Sequence, residues 1–155
     1  DEAGAITRIP VGEGRDASHG PRSNVTLTRI GEHPIHAGFP PQWQVADIEV
    51  YHHARGPAEN LEVLSHGLDA SRTTMRWPIE WTVRYGEGRV YNSTLGHVWR
   101  GDTDPVSTRC VAMQTVLIRG LQWLANRPVT HPVPSDFPTA DAISLRPAAS
   151  APAVP

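Results

Sequence analysis

Short runs of alternating apolar and polar residues, separated by glycine and proline, make up most of this chain before residue 100. Such alternation is typical of β-strands that have one buried and one exposed face. It predicts strands over residues 24–30, 45–53, 60–68, 78–85 and 89–96. Residues 31–43 contain too many glycines and prolines for a regular element, so we expect a structured connection there.

The strands 78–85 and 89–96 are predicted to form a hairpin. The residues between them are Gly86, Glu87 and Gly88, and glycine readily adopts the positive φ angles that a tight reversal needs. The alternation in the first strand predicts two faces. The core face would carry Ile79, Trp81, Val83 and Tyr85, opposite Glu80, Thr82 and Arg84.

One long helix is predicted within residues 102–126. Asp104 suits the N-cap, Pro105 suits the first helical position, and Asn126 is the stop signal. Apolar residues at steps of three and four predict a buried stripe of Val106, Cys110, Met113, Leu117, Leu121 and Leu124. Several strands with one helix indicate an α/β or α+β layer arrangement. Because that helix covers one sheet face, we expect the other face to meet a partner or further sequence.

Composition and charge remove several classes of function. A chain of 155 residues is long enough for one domain, and its net charge of -2 without a basic run argues against nucleic acid as a partner. It has no apolar run of the roughly 20 residues that span a membrane. All basic residues are arginine, which excludes Schiff-base chemistry and lysine-bound cofactors such as pyridoxal phosphate. Cys110 is the only cysteine, so an internal disulfide is excluded.

The two ends of the chain differ from its centre. Residues 1–23 are rich in glycine, arginine and aspartate, and are predicted to be a loop-rich segment. Residues 147–155 consist mostly of proline and alanine and are predicted to be a disordered tail or a linker. The chain begins at Asp1 without methionine, so we expect that a leader was removed or that a longer protein exists.

Five segments in order resemble the ThuA-like family, the trehalose-utilisation proteins. They are HPIHAGFP, IEVYHHARGPAENLEVL, PIEWTVRYGEGRVYNSTLGH, IRGLQWLAN and VTHPVPSDFPTAD. The resemblance covers about residues 18–145 and implies a flavodoxin-like α/β sandwich related to class I glutamine amidotransferases. It also implies that residues 24–146 are the C-terminal part of the domain, so that the N-terminal strands and helices would lie upstream of Asp1.

Two departures from the family pattern concern charged residues. Where the family has Asp-Glu-Leu-Tyr, this chain has Ile48 before Glu49, and Asp47 is predicted to point to the opposite strand face. Where the family has Gly-His-Asp, Val98 follows His97. We therefore expect His97 to lack the aspartate that would orient its imidazole.

His97 and Glu49 are the candidate catalytic residues. His97 follows a strand end, where it could act as a general base, donate to a sugar hydroxyl or bind a metal; the alternative is an imidazole that caps a loop. Glu49 is predicted on a strand, where a buried carboxylate must be paired. If Glu49 meets His97, the two form an acid-base or metal-binding pair; if it meets Arg84 or Arg89, it is structural.

Further residues are candidates for contacts with the substrate. Trp43, Trp77 and Trp99 lie near predicted loops or strand ends, and an indole suits the apolar face of a sugar ring. Trp99 is preferred because it lies beside His97. The resemblance adds Tyr51, which would shape the pocket, His52, which a close branch of the family matches, and His19, a third imidazole. The histidines of the segment HPIH, residues 33–36, could bind a metal, but Pro34 favours a turn.

The resemblance implies a protein that acts on or binds a sugar or an oxidised sugar in carbohydrate utilisation. His97 and Glu49 would be an acid-base pair or ligands of a divalent metal. The alternative is a non-catalytic carbohydrate-binding or interaction module, or an inactive fragment, so enzymatic activity stays open. We expect a small carbohydrate as ligand, self-association or an N-terminal segment that covers the sheet, and a bacterial protein exported to the periplasm or the medium.

Overall fold

Seven strands and two helices are present in the part of the chain that the structure, a computed structural model, describes: residues 7–10, 12–53, 59–69 and 74–148. The strands are β1 (Ser18–His19), β2 (Ser23–Arg29), β3 (Gln42–Ile48), β4 (Tyr51–His52), β5 (Leu61–Leu68), β6 (Arg76–Tyr85) and β7 (Gly88–Ser93). The helices are α1 (Val106–Arg109) and α2 (Val111–Leu124), and a 3-10 turn covers Pro34–His36. Among these described residues, no helix has the length and apolar character needed to cross a bilayer.

The main sheet has the strand order β3-β2-β5-β6-β7, and β1 and β4 form a separate two-stranded ribbon. Helix α2 packs against β3, β7 and the 3-10 turn. The mixed α/β class is confirmed. The flavodoxin-like sandwich stays a prediction, because the strand pairs within the described ranges are antiparallel. Residues 149–155, most of the predicted tail, lie outside the described residues.

The predicted hairpin is confirmed. Tyr85 pairs with Gly88, so the reversal is a two-residue turn of Gly86 and Glu87. Gly86 has a φ of 57°, the left-handed conformation for which glycine has no steric penalty. Gly88 is already the first residue of β7.

The single strand predicted over residues 45–53 is wrong. Strand β3 starts earlier, at Gln42, and ends at Ile48. Asp47 has a φ of 55°, and the register with β2 shifts beside it, so an extra residue enters the ladder. The alternation that placed Asp47 and Glu49 on a regular strand therefore does not hold. Glu49 lies in the bend between β3 and β4.

The buried face of β6 also differs from the prediction. Glu80 is fully buried, whereas Trp81 is half-buried and Tyr85 is exposed. Three side chains satisfy the Glu80 carboxylate: His36 Nε2 lies 3.1 Å from Oε2, Ser65 donates to Oε2 at 2.8 Å, and Tyr91 donates to Oε1 at 2.5 Å. A charged residue can occupy the core because every oxygen has a donor.

The predicted long helix is divided at Cys110. This residue has extended backbone angles, φ -64° and ψ 123°, and separates α1 from α2. The C-terminal segment inserts at the break: Val111 N donates to the Ser144 carbonyl at 2.9 Å, and Arg146 N donates to the Arg109 carbonyl at 2.8 Å. The predicted stop is confirmed, because α2 ends at Leu124 and Asn126 has a left-handed φ of 56°.

The predicted buried stripe is confirmed in its first half, where Cys110 is buried and Val106 and Met113 pack against the core. It is wrong in its second half, because Leu117, Leu121 and Leu124 are exposed. The buried face of α2 instead carries Val111, Ala112, Thr115, Val116, Arg119, Gly120 and Trp123. Hydrogen bonding explains the difference, since the guanidinium of Arg119 donates to four backbone carbonyls, those of Pro34, Ile35, Ala37 and His131.

Apolar side chains remain exposed on α2 and on the sheet. Leu121 of α2 is 57% exposed, and on the hairpin Val90 is 42% exposed. Exposed apolar patches of this kind often mark sites of association. The expectation that the chain self-associates, or that another segment covers the sheet, stays a prediction.

Glu80→Ala is expected to lower the free energy of unfolding by about 3–5 kcal/mol, because it leaves a buried histidine without its counterion. Burial alone would raise the pKa of Glu80, but the charge of His36 and the hydrogen bonds to the carboxylate outweigh burial and lower it. The stabilisation is therefore complete above the ordinary pKa of 4.5 and is lost as pH falls through the folded-state pKa. Urea unfolding at a series of pH values measures both effects.

Glu87→Ala, on the exposed turn, is the control for that experiment. It should change the free energy of unfolding by no more than about 0.5 kcal/mol. An acid dependence that is the same in both variants would contradict the assignment of the stabilisation to Glu80.

Leu121→Gln is expected to change the free energy of unfolding of the monomer by less than about 0.5 kcal/mol, because the side chain is already in water. Val116→Ala, on the buried face, should cost about 1–3 kcal/mol. Urea unfolding at low protein concentration compares the two. If Leu121→Gln were the more damaging change, the orientation of α2 would be incorrect.

In sedimentation, Leu121→Gln should also weaken any self-association.

Candidate functional site

A buried carboxylate, Glu49, forms the centre of the candidate site. Its side chain is 7% exposed, and each carboxylate oxygen faces one imidazole. Nδ1 of His97 lies 3.3 Å from Oε2, and Nδ1 of His19 lies 3.4 Å from Oε1. The hydroxyl of Tyr51 also donates to Glu49. The structure thus brings Glu49, His97, His19 and Tyr51 together, and we call these four residues the Glu49 cluster.

The cluster fixes which imidazole nitrogen carries hydrogen. A carboxylate only accepts hydrogen bonds, so Nδ1 of each histidine is the donor. His19 Nδ1 also lies 2.8 Å from the Gly20 carbonyl, which is a second acceptor. Nε2 of each ring is then the nitrogen with a free lone pair. In His97 this atom is buried and has no hydrogen-bond partner among the described residues.

Glu49 therefore provides the carboxylate partner of His97 that was expected to be missing because Val98 replaces an aspartate. Neither arginine that was considered for Glu49 takes this place, because Arg84 is exposed and Arg89 donates to the Trp123 carbonyl. Val98 is exposed. The loop-capping alternative for His97 is not what the side chain does, since its Nδ1 faces a carboxylate rather than a backbone carbonyl.

The loop that carries His97 is held at both ends. Gly96 has a φ of 80°, and a Cβ there would lie 2.5 Å from Cε of Met113, so only glycine fits without a shift. The Ser107 hydroxyl donates to the carbonyl of His97. Further along, Asp102 accepts from the Trp99 amide at 3.0 Å. These contacts give His97 a fixed position above Glu49.

Trp99 provides a flat surface next to the His97 ring. The two rings are stacked, with centroids 5.4 Å apart and planes at 23°. The residue is 55% exposed, so much of the indole faces solvent. Trp43 and Trp77, the other tryptophans considered for sugar contact, are buried in the core. Of the three, Trp99 alone is open to a ligand.

Sequence reasoning missed a set of charges beside this loop. Arg22 donates to both carboxylate oxygens of Asp47, at 2.9 Å for the Nε contact, and lies 3.4 Å from Asp102. The hydrogen bond from Arg22 is the main reason that the pKa of Asp47 is lowered, and the charge of His97 contributes less. Arg22 thus connects the end of β3, which precedes Glu49, to the loop of His97. In the sequence, the only indication of a role for Arg22 was its position in the segment ASHGPR, residues 17–22, which also contains His19.

His52 lies apart from the Glu49 cluster. It is buried, and its Nε2 lies 3.2 Å from Oδ2 of Asp69. Because His19 pairs with Tyr51 and Ser18 pairs with His52, the β1–β4 ribbon carries both groups of residues. A direct contact of His52 with substrate stays a prediction.

The segment 33–36 is a turn, as Pro34 indicated. His33 caps it by accepting from the Ile35 amide at 3.2 Å, and His36 faces Glu80. Within the described ranges, no group of three or more His, Cys, Asp or Glu residues is arranged to hold a metal ion.

Comparison with known proteins identifies relatives. The sequence profile of the ThuA family, described as trehalose utilisation, matches residues 5–124. Among solved structures, the chain is similar to a ThuA-like protein from Parabacteroides merdae ATCC 43184, with a TM-score of 0.79 and 33% identity over 86% of this chain. The match spans 49% of that protein, so this chain corresponds to about half of its length. No curated protein matches the chain.

Gly20→Ala is expected to disturb the ribbon that carries His19. A Cβ at this position would lie 2.1 Å from Oδ2 of Asp69, so the buried carboxylate would have to move away from His52. We expect a loss of roughly 1–3 kcal/mol in the free energy of unfolding. Thermal melts measure the loss, and Ser18→Ala, at an exposed position of β1, is the control. A Gly20→Ala protein as stable as the control would contradict this packing.

Proposed function

This chain belongs to the ThuA, or trehalose-utilisation, family, and on that premise we propose that its Glu49 cluster binds a sugar or an oxidised sugar and transfers a proton to or from it. His97 is the residue that transfers the proton, and Glu49 orients its ring. The observation that supports this most directly is a buried carboxylate that faces His97 under an exposed indole.

The orientation of His97 is that of a general base. A carboxylate on Nδ1 holds the ring in one tautomer and stabilises the imidazolium that forms when Nε2 accepts a proton. General bases of this type typically contribute about 10²–10⁴-fold to a rate. The carboxylate oxygens of Glu49 are occupied by its neighbours, so Glu49 orients His97 and does not itself take the proton.

Trp99 and Tyr51 would form the walls of the sugar site. The exposed indole of Trp99 can pack against the apolar C–H face of a pyranose ring. Tyr51 is 38% exposed, and its ring centroid lies 5.7 Å from that of His19. Burial, with a further effect from the charge of Glu49 and its hydrogen bond, raises the pKa of Tyr51, so its hydroxyl stays protonated as a donor.

A non-catalytic carbohydrate-binding module is the second candidate. The exposed Trp99 favours it, because an indole platform is sufficient for binding without any reaction. Calorimetric titration of disaccharides and keto-sugars, with and without zinc or manganese, measures binding, and product analysis of the same mixtures measures turnover. Turnover that is lost in His97→Gln while binding persists supports the enzyme. Binding without turnover in the unchanged protein supports the module.

Trp99→Ala is expected to weaken sugar binding by about tenfold or more, which is ~1.4 kcal/mol, because it removes the platform. Tyr85→Ala is the matched control, since it removes an exposed aromatic side chain from the distant hairpin turn. Titration of both variants with a sugar that binds the unchanged protein makes the comparison. Equal affinities of the two variants would argue against Trp99 as the sugar contact.

A further inference from the structure

We propose that His19 is a second proton-transfer residue, which works in a pair with His97 across the shared Glu49 carboxylate. The proposal rests on the proposed function and gives it a reaction class: proton transfer next to the carbonyl group of an oxidised sugar. His97 takes the proton from carbon, and His19 gives a proton to oxygen.

The position of His19 equips it for this role. Its backbone is fixed in the β1–β4 ribbon by the pairing with Tyr51, and its Nδ1 is held by Glu49 and by the Gly20 carbonyl. Its side chain is 47% exposed, compared with 15% for His97. His19 can therefore exchange its Nε2 proton with water, whereas His97 is shielded beside Trp99. An acid that must be reloaded from solvent benefits from such exposure.

The balance of charge around Glu49 also supports the pairing of His19 with His97. Glu49 supplies one negative charge to two imidazoles, so it compensates one imidazolium at a time. Two further carboxylates, those of Asp47 and Asp102, contact Arg22, whose single positive charge balances one of them. A reaction that moves one positive charge from His19 to His97 leaves the net charge around Glu49 unchanged. The titratable or charged groups that face the pair are Glu49, Tyr51, Asp47, Arg22 and Asp102.

The proposed proton transfer converts the ketone into an enol. The C–H bond next to the carbonyl breaks, and its proton goes to Nε2 of neutral His97. The electron pair of that bond forms a carbon–carbon double bond, while the π pair of the carbonyl moves to its oxygen. That oxygen takes the Nε2 proton of the His19 imidazolium. The product is an enol, His97 is now the imidazolium, and His19 is neutral.

Direct cleavage of a glycoside by two carboxylates fits the cluster less well. That chemistry uses two carboxyl groups on opposite sides of the bond, with access to the substrate. Glu49 is occupied by three donors, and Asp47 is bound to Arg22 through both of its oxygens. In His97 and His19, by contrast, Glu49 occupies only Nδ1, and Nε2 is the nitrogen that remains for proton transfer.

The shared carboxylate can be tested without any sugar. In water the Nε2–H tautomer of histidine prevails, but a carboxylate on Nδ1 favours Nδ1–H. We expect ¹⁵N NMR at alkaline pH to show Nδ1–H for both His19 and His97, and a return of both towards Nε2–H in Glu49→Ala. His66, on β5, is the internal control and should not change. A His19 signal that does not respond to Glu49→Ala would overturn the proposal.

The catalytic role is tested with glucosides oxidised to a ketone at carbon 2, 3 or 4. For a glucoside that the protein binds, ¹H NMR in D₂O follows exchange of the hydrogen next to the ketone. We expect His97→Gln and His19→Gln each to lower kcat for exchange by about 100-fold or more with little change in KM. His66→Gln should behave like the unchanged protein. Added imidazole should restore part of the rate to His19→Ala, because this position is exposed.

The outcomes separate the two proposals. If His19→Gln raises KM and leaves kcat unchanged, His19 only binds the substrate, and the proposal for His19 is overturned while the sugar site stands. If none of the oxidised glucosides or other sugars binds the unchanged protein, the proposed function fails. The NMR comparison with Glu49→Ala then still decides whether the two imidazoles share one carboxylate.

Discussion

The guanidinium of Arg119 is the constraint on which the arrangement of helix and sheet depends. A buried guanidinium must use its donors, and here four backbone carbonyls accept them. This turns the Arg119 face of α2 towards the turn that holds His36. The imidazole of His36 then meets Glu80, and Glu80 accepts from Tyr91, whose ring packs on Gly120 next to the arginine. Hydrogen bonds and this ring contact thus connect the helix, the turn and the sheet to one another.

Alternation of apolar and polar residues was sufficient to predict the hairpin and the strands β2 and β5. It failed at Asp47, where a positive φ interrupts the ladder, and on α2, where three exposed leucines looked like a core stripe. The failure on α2 originates in hydrogen bonding. Hydrophobic periodicity does not register hydrogen-bond demand, and one buried arginine can outweigh several leucines in the choice of a helix face.

The centre of the site was predictable in part. The resemblance indicated Glu49 and His97, and the structure brings them together. It also suggested that His97 lacks a partner, because the pattern was read along the chain and the partner comes from the distant segment between β3 and β4. The contribution of Arg22 could not be predicted from the sequence for the same reason, since 25 residues separate it from Asp47. Pairings between distant residues depend on the path of the backbone, which local patterns do not specify.

The division of the helix at Cys110 bears on the order in which the protein is built. Backbone hydrogen bonds from residues 144–146 close the break, and α1 on its other side holds the carbonyl of His97 through Ser107. As the chain leaves the ribosome, the hairpin can pair early, because its contacts are local. Residues 144–146, which close the break, are synthesised after the loop of His97 and after both helices. A chain shortened before residue 144 would lack the hydrogen bonds that close the break at Cys110, next to the helix whose Ser107 holds the carbonyl of His97.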